Sequence, residues 1–316
     1  MKITSEYEPV VSIGMPVFNC AATVAQAICS ILNQTFVDWE LLIIDDASTD
    51  NTPEIAASFD DPRIIVIRGE KNKRLPTRLN ECVRSSRGKY FARMDGDDIA
   101  YPVRLKCQLE FLESHPEVDL AAGWVVVFRN DGTALGARRG PQTHEQICAH
   151  PWNGISMAHP TWVGKTEWFR RNPYRTDVPR QKFDTLDQDL LLRSHQKSRF
   201  TIVPEVVLGY REDSLSLSKI LLSRRGMYNT MVRIAREQHM FATAALGIIG
   251  LVAKGLVDTI AICTGLNYRL LRHRASVMSA EEKREWRSVW EQVTSTADNV
   301  EGGRRIREDA SQGALI

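Results

Sequence analysis

The sequence predicts an α/β fold, in which a mostly parallel, Rossmann-like sheet is flanked by helices and followed by a C-terminal helical appendage. Two observations predict the sheet. Short apolar runs alternate with helical segments of roughly 10–15 residues, as in βαβ units. Polar clusters directly follow three of these runs, at the strand ends where such sheets bind ligands. A third observation predicts the appendage: beyond residue 218 the strand-like runs stop and the pattern becomes helical.

The individual elements follow from periodicity and from capping residues. Val24, Ala27, Ile28 and Ile31 recur at helical spacing, so a helix is expected after the first strand. The segment 48–50 offers N-cap oxygens for a second helix. The predicted strands are 10–15, 39–46, 63–69, 89–94 and 118–128, and the predicted helices are 21–33, 53–58, 76–86 and 104–114. The segment 183–196 is predicted to be a helix preceded by acidic residues, and 200–213 one more strand followed by a loop.

Three segments are expected along the chain. Residues 1–218 form the α/β domain, and residues 219–294 form a basic, amphipathic helical region. The tail 295–316 is polar and poor in aromatic residues, which predicts disorder.

Composition excludes several classes of protein. The 316 residues are 43% hydrophobic and 25% charged, which is typical of a soluble globular protein. A net charge of +2 does not favour nucleic acid as a partner. The six cysteines form no CxxC pair, so they are interpreted as small buried residues in a reducing compartment. The N-terminal run MKITSEYEPV has no apolar stretch, and no secretory signal is expected there.

The most conspicuous polar cluster is Asp95-Gly96-Asp97-Asp98. Carboxylates at this density suit Mg²⁺ or Mn²⁺, and Gly96 allows the sharp turn between them. An acidic surface turn, or capping of the next helix by Asp98, would give the same pattern.

Two further acidic clusters follow the same logic. Asp46, at the end of the second strand, could accept hydrogen bonds from a base or a ribose, while its neighbours cap a helix. Asp187 and Asp189 open a helical run, so either could be a general base or a helix cap. The chain contains no GxSxG, GxxxxGK[ST] or GxGxxG motif, so no nucleophile constellation stands out, and P-loop and dinucleotide-binding functions are not expected.

Together, six runs over about residues 10–215 resemble glycosyltransferase family 2, in its bacterial capsule, exopolysaccharide and O-chain form. The runs are VSIGMPVFN, ILNQTFVDWELLIIDDASTDNT, LPTRLNECVRSSRGKYFARMDGDDIAYPVRLKCQLEFLESHP, HPTWVGKTEWFRRN, LDQDLLLR and LGYRED. The resemblance implies a GT-A fold. It also implies metal-dependent, inverting transfer from a nucleotide-sugar, a UDP- or dTDP-sugar, to a lipid-linked saccharide.

The resemblance also implies roles for particular residues. Asp95 and Asp97 would form the metal motif, with Asp97 the direct ligand and Asp95 nearer the ribose or sugar. Asp187 would be the catalytic base, although the preceding glutamate of many relatives is Leu186 here. The expected nucleotide contacts are Pro16, Phe18, Asn19 and Asp46, with Arg78 and Arg93 as contacts to the diphosphate or sugar, or as ordinary ion pairs. The acceptor side would include His159, Trp162 and Asp189, where His159 could equally be a structural histidine.

A second departure concerns the Tyr210-Arg211 pair. Many relatives carry a histidine shortly after this pair, where Glu212 and Asp213 stand here, so a histidine metal ligand is not expected.

The segment 220–274 carries eight Lys and Arg residues against two acidic ones. Lys254 and Asp258 interrupt its apolar stretch, which disfavours a membrane span. Amphipathic helices lying on an anionic membrane surface, at the inner face of the cell membrane, are the favoured interpretation. A helical interface with a second copy of the chain is the alternative. The function alternatives are a nucleotidyltransferase, which would release pyrophosphate, and an inactive membrane-bound scaffold.

Overall fold

The computed structural model describes residues 8–177, 185–212, 217–264 and 276–313. Residues 183–184 and 213 of the predicted elements, and 265–274 of the predicted basic region, lie outside the described residues. The strands are β1 (Val11–Val17), β2 (Trp39–Asp45), β3 (Ile64–Arg68), β4 (Tyr90–Arg93), β5 (Ile99–Ala100), β6 (Leu120–Phe128), β7 (Ala134–Arg138), β8 (Val163–Lys165) and β9 (Phe200–Arg211). The helices are α1 (Val24–Leu32), α2 (Thr52–Ala57), α3 (Arg74–Ser85), α4 (Arg104–Ser114), α5 (His144–Ile147), α6 (Thr166–Arg171), α7 (Leu186–Ser194), α8 (Leu217–Gln238), α9 (Phe241–Cys263) and α10 (Ala280–Gly313).

The strands form one sheet in the order β3-β2-β1-β4-β8-β6-β9-β5, with β7 paired to β6. The first four strands are parallel, and helices connect them as the sequence predicts. Every residue of β1 and β2 is buried, as expected when helices cover both faces of a parallel sheet. The strand order reverses beside β1, where the chain steps to β2 on one side and to β4 on the other. Parallel sheets bind ligands at such switch points.

The second half of the sheet is mixed. The short strand β8 lies antiparallel between β4 and β6, while β9 runs parallel to β6. The sequence analysis missed β5, β7 and β8, because runs of two to five residues have no resolvable periodicity.

The C-terminal region packs more closely on the sheet than an appendage would. Trp286 of α10 is buried in the core, and its ring lies 4.6 Å from that of Phe128 and 6.1 Å from that of Tyr101. Its indole nitrogen donates to the carbonyl of Gly132 at 2.8 Å. Helix α10 is therefore part of the α/β core, although 68 residues separate it from β9 along the chain.

Helix α10 continues through residue 295 to Gly313. The disorder of the tail 295–316 stays a prediction from its polar composition.

Candidate functional site

Two cavities open along the carboxyl ends of the strands. The first, of about 350 Å³, is lined by the β1 end from Pro16 to Cys20, by Asp95 to Asp97 after β4, and by Arg211 of β9. The second, of about 340 Å³, is lined by His159, Asp187, Gln188 and Tyr210 among others. We call them the acidic cavity and the Asp187 cavity.

The acidic turn is the centre of the first cavity. One carboxylate oxygen from each of Asp95, Asp97 and Asp98 lies within 4.8 Å of the other two. Burial, and then the negative charges of Asp95 and Asp97, raise the pKa of Asp98 well above its usual value. Enclosure by the turn and the charge of Asp95 likewise raise the pKa of Asp97. Asp98 is buried, and its Oδ2 atom has no hydrogen-bond partner among the described residues. Crowded carboxylates with an unsatisfied buried oxygen fit a divalent cation.

Arg211 holds this turn in place. Its backbone nitrogen donates to Asp98 Oδ1 at 2.9 Å, and its Nε donates to the carbonyl of Asp97 at 2.6 Å. The guanidinium carbon also lies 4.7 Å from the ring of Phe128 and 5.9 Å from that of Trp290 on α10. A chain of contacts therefore connects the C-terminal helix to the acidic turn.

Arg93 lies behind the turn and is buried. Its Nη2 donates to Asp95 at 2.5 Å, while Nε and Nη1 have no partner among the described residues. Its positive charge helps to lower the pKa of His159 and opposes the raised pKa of Asp187. Arg93 lines neither cavity, but its charge acts on Asp97 in one and on His159 and Asp187 in the other.

The loop after β1 forms the other wall of the acidic cavity, and the loop after β2 is hydrogen-bonded to it. Asn19 has a left-handed backbone (φ 50°), and its amide donates to Ser48 Oγ at 2.9 Å. The amide of Thr49 donates back to Asn19 Oδ1 at 2.8 Å. Phe18 is half exposed beside them. The three polar clusters that follow predicted strands thus meet at one edge of the sheet, as the sequence predicts.

Asp46 and Arg78 are placed differently from the other predicted contacts. Asp46 accepts hydrogen bonds from the amides of Lys73 and Arg74, at 2.7 and 2.8 Å, and from Arg78 Nε at 2.7 Å. Arg78 also donates to Glu81 and to the carbonyl of Lys71. Neither residue is among those that line the acidic cavity. In this structure the pair fixes the start of α3 to the end of β2.

Asp187 opens α7 and faces the second cavity. Burial raises its pKa, and the Gln188 amide donates to its carboxylate at 3.4 Å. The Gln188 side chain also pairs with both backbone groups of Ile155 at 2.9 Å, which fixes α7 to the loop on the opposite wall. His159 is hydrogen-bonded to Tyr174 at 2.8 Å, and burial, with the charge of Arg93, keeps its pKa well below the usual value. A carboxylate of raised pKa beside a neutral histidine can accept a proton from a bound hydroxyl.

Trp162 and Asp189 do not line this cavity. Trp162 is fully buried, with its ring 4.5 Å from that of His159, so it supports the histidine from behind. Asp189 is buried among three arginines, at 2.7 Å from Arg193, 3.0 Å from Arg233 and 3.3 Å from Arg175. Asp189 joins α7 to α8 through these ion pairs.

Sequence reasoning missed two residues of the site. Arg211 was noted only because a histidine is missing after it. Its position at the end of β9 is a signal that could have identified it as a residue of the site. Tyr174, the partner of His159, lies in an irregular segment with no local signal.

The matches to known proteins agree with this geometry. Residues 12–173 match the family described as Glycosyl transferase family 2. The chain is 37% identical over 212 residues to the putative glycosyltransferase EpsE of Bacillus subtilis, a match that covers 65% of this chain and 74% of EpsE. It is 36% identical over 132 residues to WfgD of Escherichia coli, named as a UDP-Glc:alpha-D-GlcNAc-diphosphoundecaprenol beta-1,3-glucosyltransferase. That match covers 42% of this chain and 51% of WfgD.

Among solved structures, S. aureus TarS 1–349 in complex with UDP-GlcNAc superposes with a TM-score of 0.58 at 15% identity, over 92% of this chain and 83% of that one. The mannosyltransferase PcManGT of Pyrobaculum calidifontis, solved with GDP-Man and Mn²⁺, gives a TM-score of 0.56 at 15% identity, over 93% and 88% of the two chains. These two likenesses show that the fold is shared, and they confirm the predicted GT-A architecture.

Proposed function

Because this chain belongs to glycosyltransferase family 2, we propose that it transfers a sugar from a UDP- or dTDP-sugar to a hydroxyl of a lipid-linked saccharide, with inversion at the anomeric carbon. We place this step in the synthesis of a bacterial surface polysaccharide. WfgD is named as a glucosyltransferase that acts on a diphosphoundecaprenol-linked sugar, and this similarity supports a lipid-linked acceptor.

One observation carries the proposal. An acidic turn suited to a cation and a carboxylate suited to proton transfer lie in adjacent cavities, and the charge of the buried Arg93 reaches both. Transfer needs both: neutralisation of the departing diphosphate on one side, and deprotonation of the attacking hydroxyl on the other.

The donor would occupy the acidic cavity. Pro16, Phe18 and Asn19 would contact the nucleoside. Asp46 would act either by direct contact or by fixing the loop through Arg78. Asp95 and Asp97 would hold Mg²⁺ or Mn²⁺, which as a Lewis acid stabilises the charge that develops on the leaving diphosphate. Arg93, buried behind the turn, would act through its positive charge and its ion pair with Asp95.

Asp187 would take the proton of the acceptor hydroxyl as that oxygen attacks the anomeric carbon. Its raised pKa makes it a stronger base than an ordinary aspartate. His159, neutral and fixed by Tyr174, would orient the acceptor. We place the protein in the cytoplasm, attached peripherally to the inner face of the membrane where such an acceptor would be met.

A binding and turnover experiment tests the proposal. Nucleotides and nucleotide-sugars are screened by thermal shift with and without Mn²⁺, for the wild type and for Asp97→Asn. A metal-dependent rise in Tm with one nucleotide-sugar, absent in the variant, is expected because ligands of the native state stabilise it. Product analysis should then show a nucleoside diphosphate. Release of pyrophosphate would instead identify a nucleotidyltransferase, and the absence of any ligand response would indicate an inactive scaffold.

A further inference from the structure

Helix α9 exposes an apolar surface that the proposed chemistry does not use. Seven large apolar side chains along it are more than half exposed: Phe241, Leu246, Ile249, Val252, Leu256, Val257 and Ile260. The stretch from Leu246 to Ile260 is about 21 Å long at 1.5 Å per residue. We call this the α9 face. A helix of a globular protein normally turns its apolar stripe inward, so the α9 face needs a covering partner.

The inward side of α9 is built for close packing with the rest of the chain. Gly247 approaches Trp152 so closely that a Cβ atom there would lie 2.6 Å from the Trp152 carbonyl. Asp258 turns inward as well and pairs with Arg224 of α8 at 2.8 Å. The only acidic residue of α9 is therefore neutralised away from the exposed face. Lys254, one turn before Asp258, is exposed at the edge of that face.

The buried side of α9 is close to the Asp187 cavity. Trp152, against which Gly247 packs, lies three residues before Ile155, and Ile155 to Met157 line that cavity. Whatever covers the α9 face is thus separated from that cavity by the width of one helix and one short loop.

We propose that the α9 face lies in the interface of an anionic lipid bilayer and presents the Asp187 cavity to a saccharide carried on a lipid. This inference rests on the proposed function, because the lipid-linked saccharide is the acceptor proposed there. Charge favours lipid as the occupant: the face carries no acid, Lys254 is exposed at its edge, and Arg269, Arg272 and Arg274 follow α9 in the sequence. Among the described residues, no helix combines the length and the apolarity needed to cross a membrane, so α9 would lie along the surface.

The test is co-sedimentation of the full chain with vesicles of phosphatidylcholine alone or with about 30% phosphatidylglycerol. Wild type is expected to bind the anionic vesicles. Ile249→Glu with Leu256→Glu should reduce the apparent partition constant at least tenfold. Val37→Glu with Val103→Glu, at exposed apolar positions outside the helix, is the matched control and should bind as wild type does. Lys254→Glu should weaken binding to the anionic vesicles more than any residual binding to neutral ones.

Two further measurements separate the possible failures. Thermal melting and nucleotide binding without vesicles establish that each variant is folded. Equal sedimentation of wild type and the α9 double variant would overturn the inference. So would a dimer that becomes monomeric in that variant without any vesicle binding, because the face would then be a contact between two copies. If vesicles bind as expected but no nucleotide-sugar is turned over, the proposed function fails while the membrane surface stands.

Discussion

Two aspartates of α7, separated by one residue, should respond to the same substitution in opposite ways. Asp187 faces a cavity and accepts one long hydrogen bond, whereas Asp189 is buried among three arginines. Asp187→Asn keeps the size of the side chain but removes the base. General base catalysis typically contributes about 10²–10⁴-fold to the rate, so kcat should fall by that factor. The activation free energy should rise correspondingly, by about 3–5 kcal/mol. Nucleotide binding should be unchanged, because Asp187 does not line the acidic cavity.

Asp189→Asn is the matched control. Removing one partner of a buried ion pair costs about 3–5 kcal/mol when the remaining charge is fully buried. The side chains of Arg193, Arg233 and Arg175 are 20–24% exposed, so water relieves part of the loss and about 1–3 kcal/mol is expected. The melting temperature should fall by about 2–4 °C per kcal/mol. The kcat of the protein that stays folded should remain close to that of wild type.

The assay is release of the nucleoside diphosphate as a function of pH, together with thermal melting. The base acts deprotonated and burial raises its pKa, so kcat should fall with decreasing pH at a point above the usual aspartate range near 4. This acid limb should disappear in Asp187→Asn. If that variant keeps kcat within tenfold of wild type, or if Asp189→Asn is the one that loses turnover while its stability is unchanged, the assignment of roles on α7 is refuted.

Two other predictions concern the connection between the C-terminal helix and the site. Trp286→Ala should destabilise the protein by about 3–5 kcal/mol, because a buried indole with three ring neighbours and a hydrogen bond is lost. Chemical denaturation measures this, and a change below about 1 kcal/mol would show that α10 is dispensable to the core. Arg211→Ala should weaken Mn²⁺ binding in calorimetry at least several-fold, because the contacts of its side chain with the Asp97 carbonyl and with Phe128 are lost. Arg211→Lys should recover only part of that affinity, since a lysine cannot reproduce a planar, stacked guanidinium. If the Mn²⁺ affinity of both variants equals that of wild type, Arg211 does not position the turn.

The parts of the fold that the sequence predicted correctly depend on short-range patterns. Helix 104–114 is predicted and found with the same bounds, because its apolar residues repeat over three turns. The strands at the ligand-binding edge were found because each is an apolar run that ends in polar residues. Since parallel strands place their carboxyl ends together, the meeting of Asn19, Ser48 and Asp95 could be expected without knowing any distance.

The parts that could not be predicted depend on contacts between distant residues. Nothing near Asp189 in the sequence indicates that Arg175 and Arg233 will surround it, so a base and an ion-pair anchor look alike in the run LDQDLLLR. The sequence around Asp46 likewise does not indicate its hydrogen-bond partners, because the nearest of them along the chain lies 27 residues later. The contact between Trp286 and Gly132 spans 154 residues. It makes a region that looked like an appendage part of the core.

The acidic turn shows how three neighbouring carboxylates can be tolerated. Each has a different environment: Asp95 pairs with Arg93, Asp98 accepts the backbone amide of Arg211, and Asp97 is left exposed. The two arginines offset part of the repulsion, but the pKa of Asp98 remains raised by burial and by its neighbours. The pKa of Asp97 remains raised as well, because the surrounding protein limits the hydration of its carboxylate although the residue has an exposed surface, and because Asp95 is negatively charged. A carboxylate whose pKa is raised in this way gains stability when a cation binds beside it, because the cation favours its ionised form. The repulsion among these carboxylates therefore lowers the stability of the protein without a cation. A bound divalent ion would remove this loss of stability.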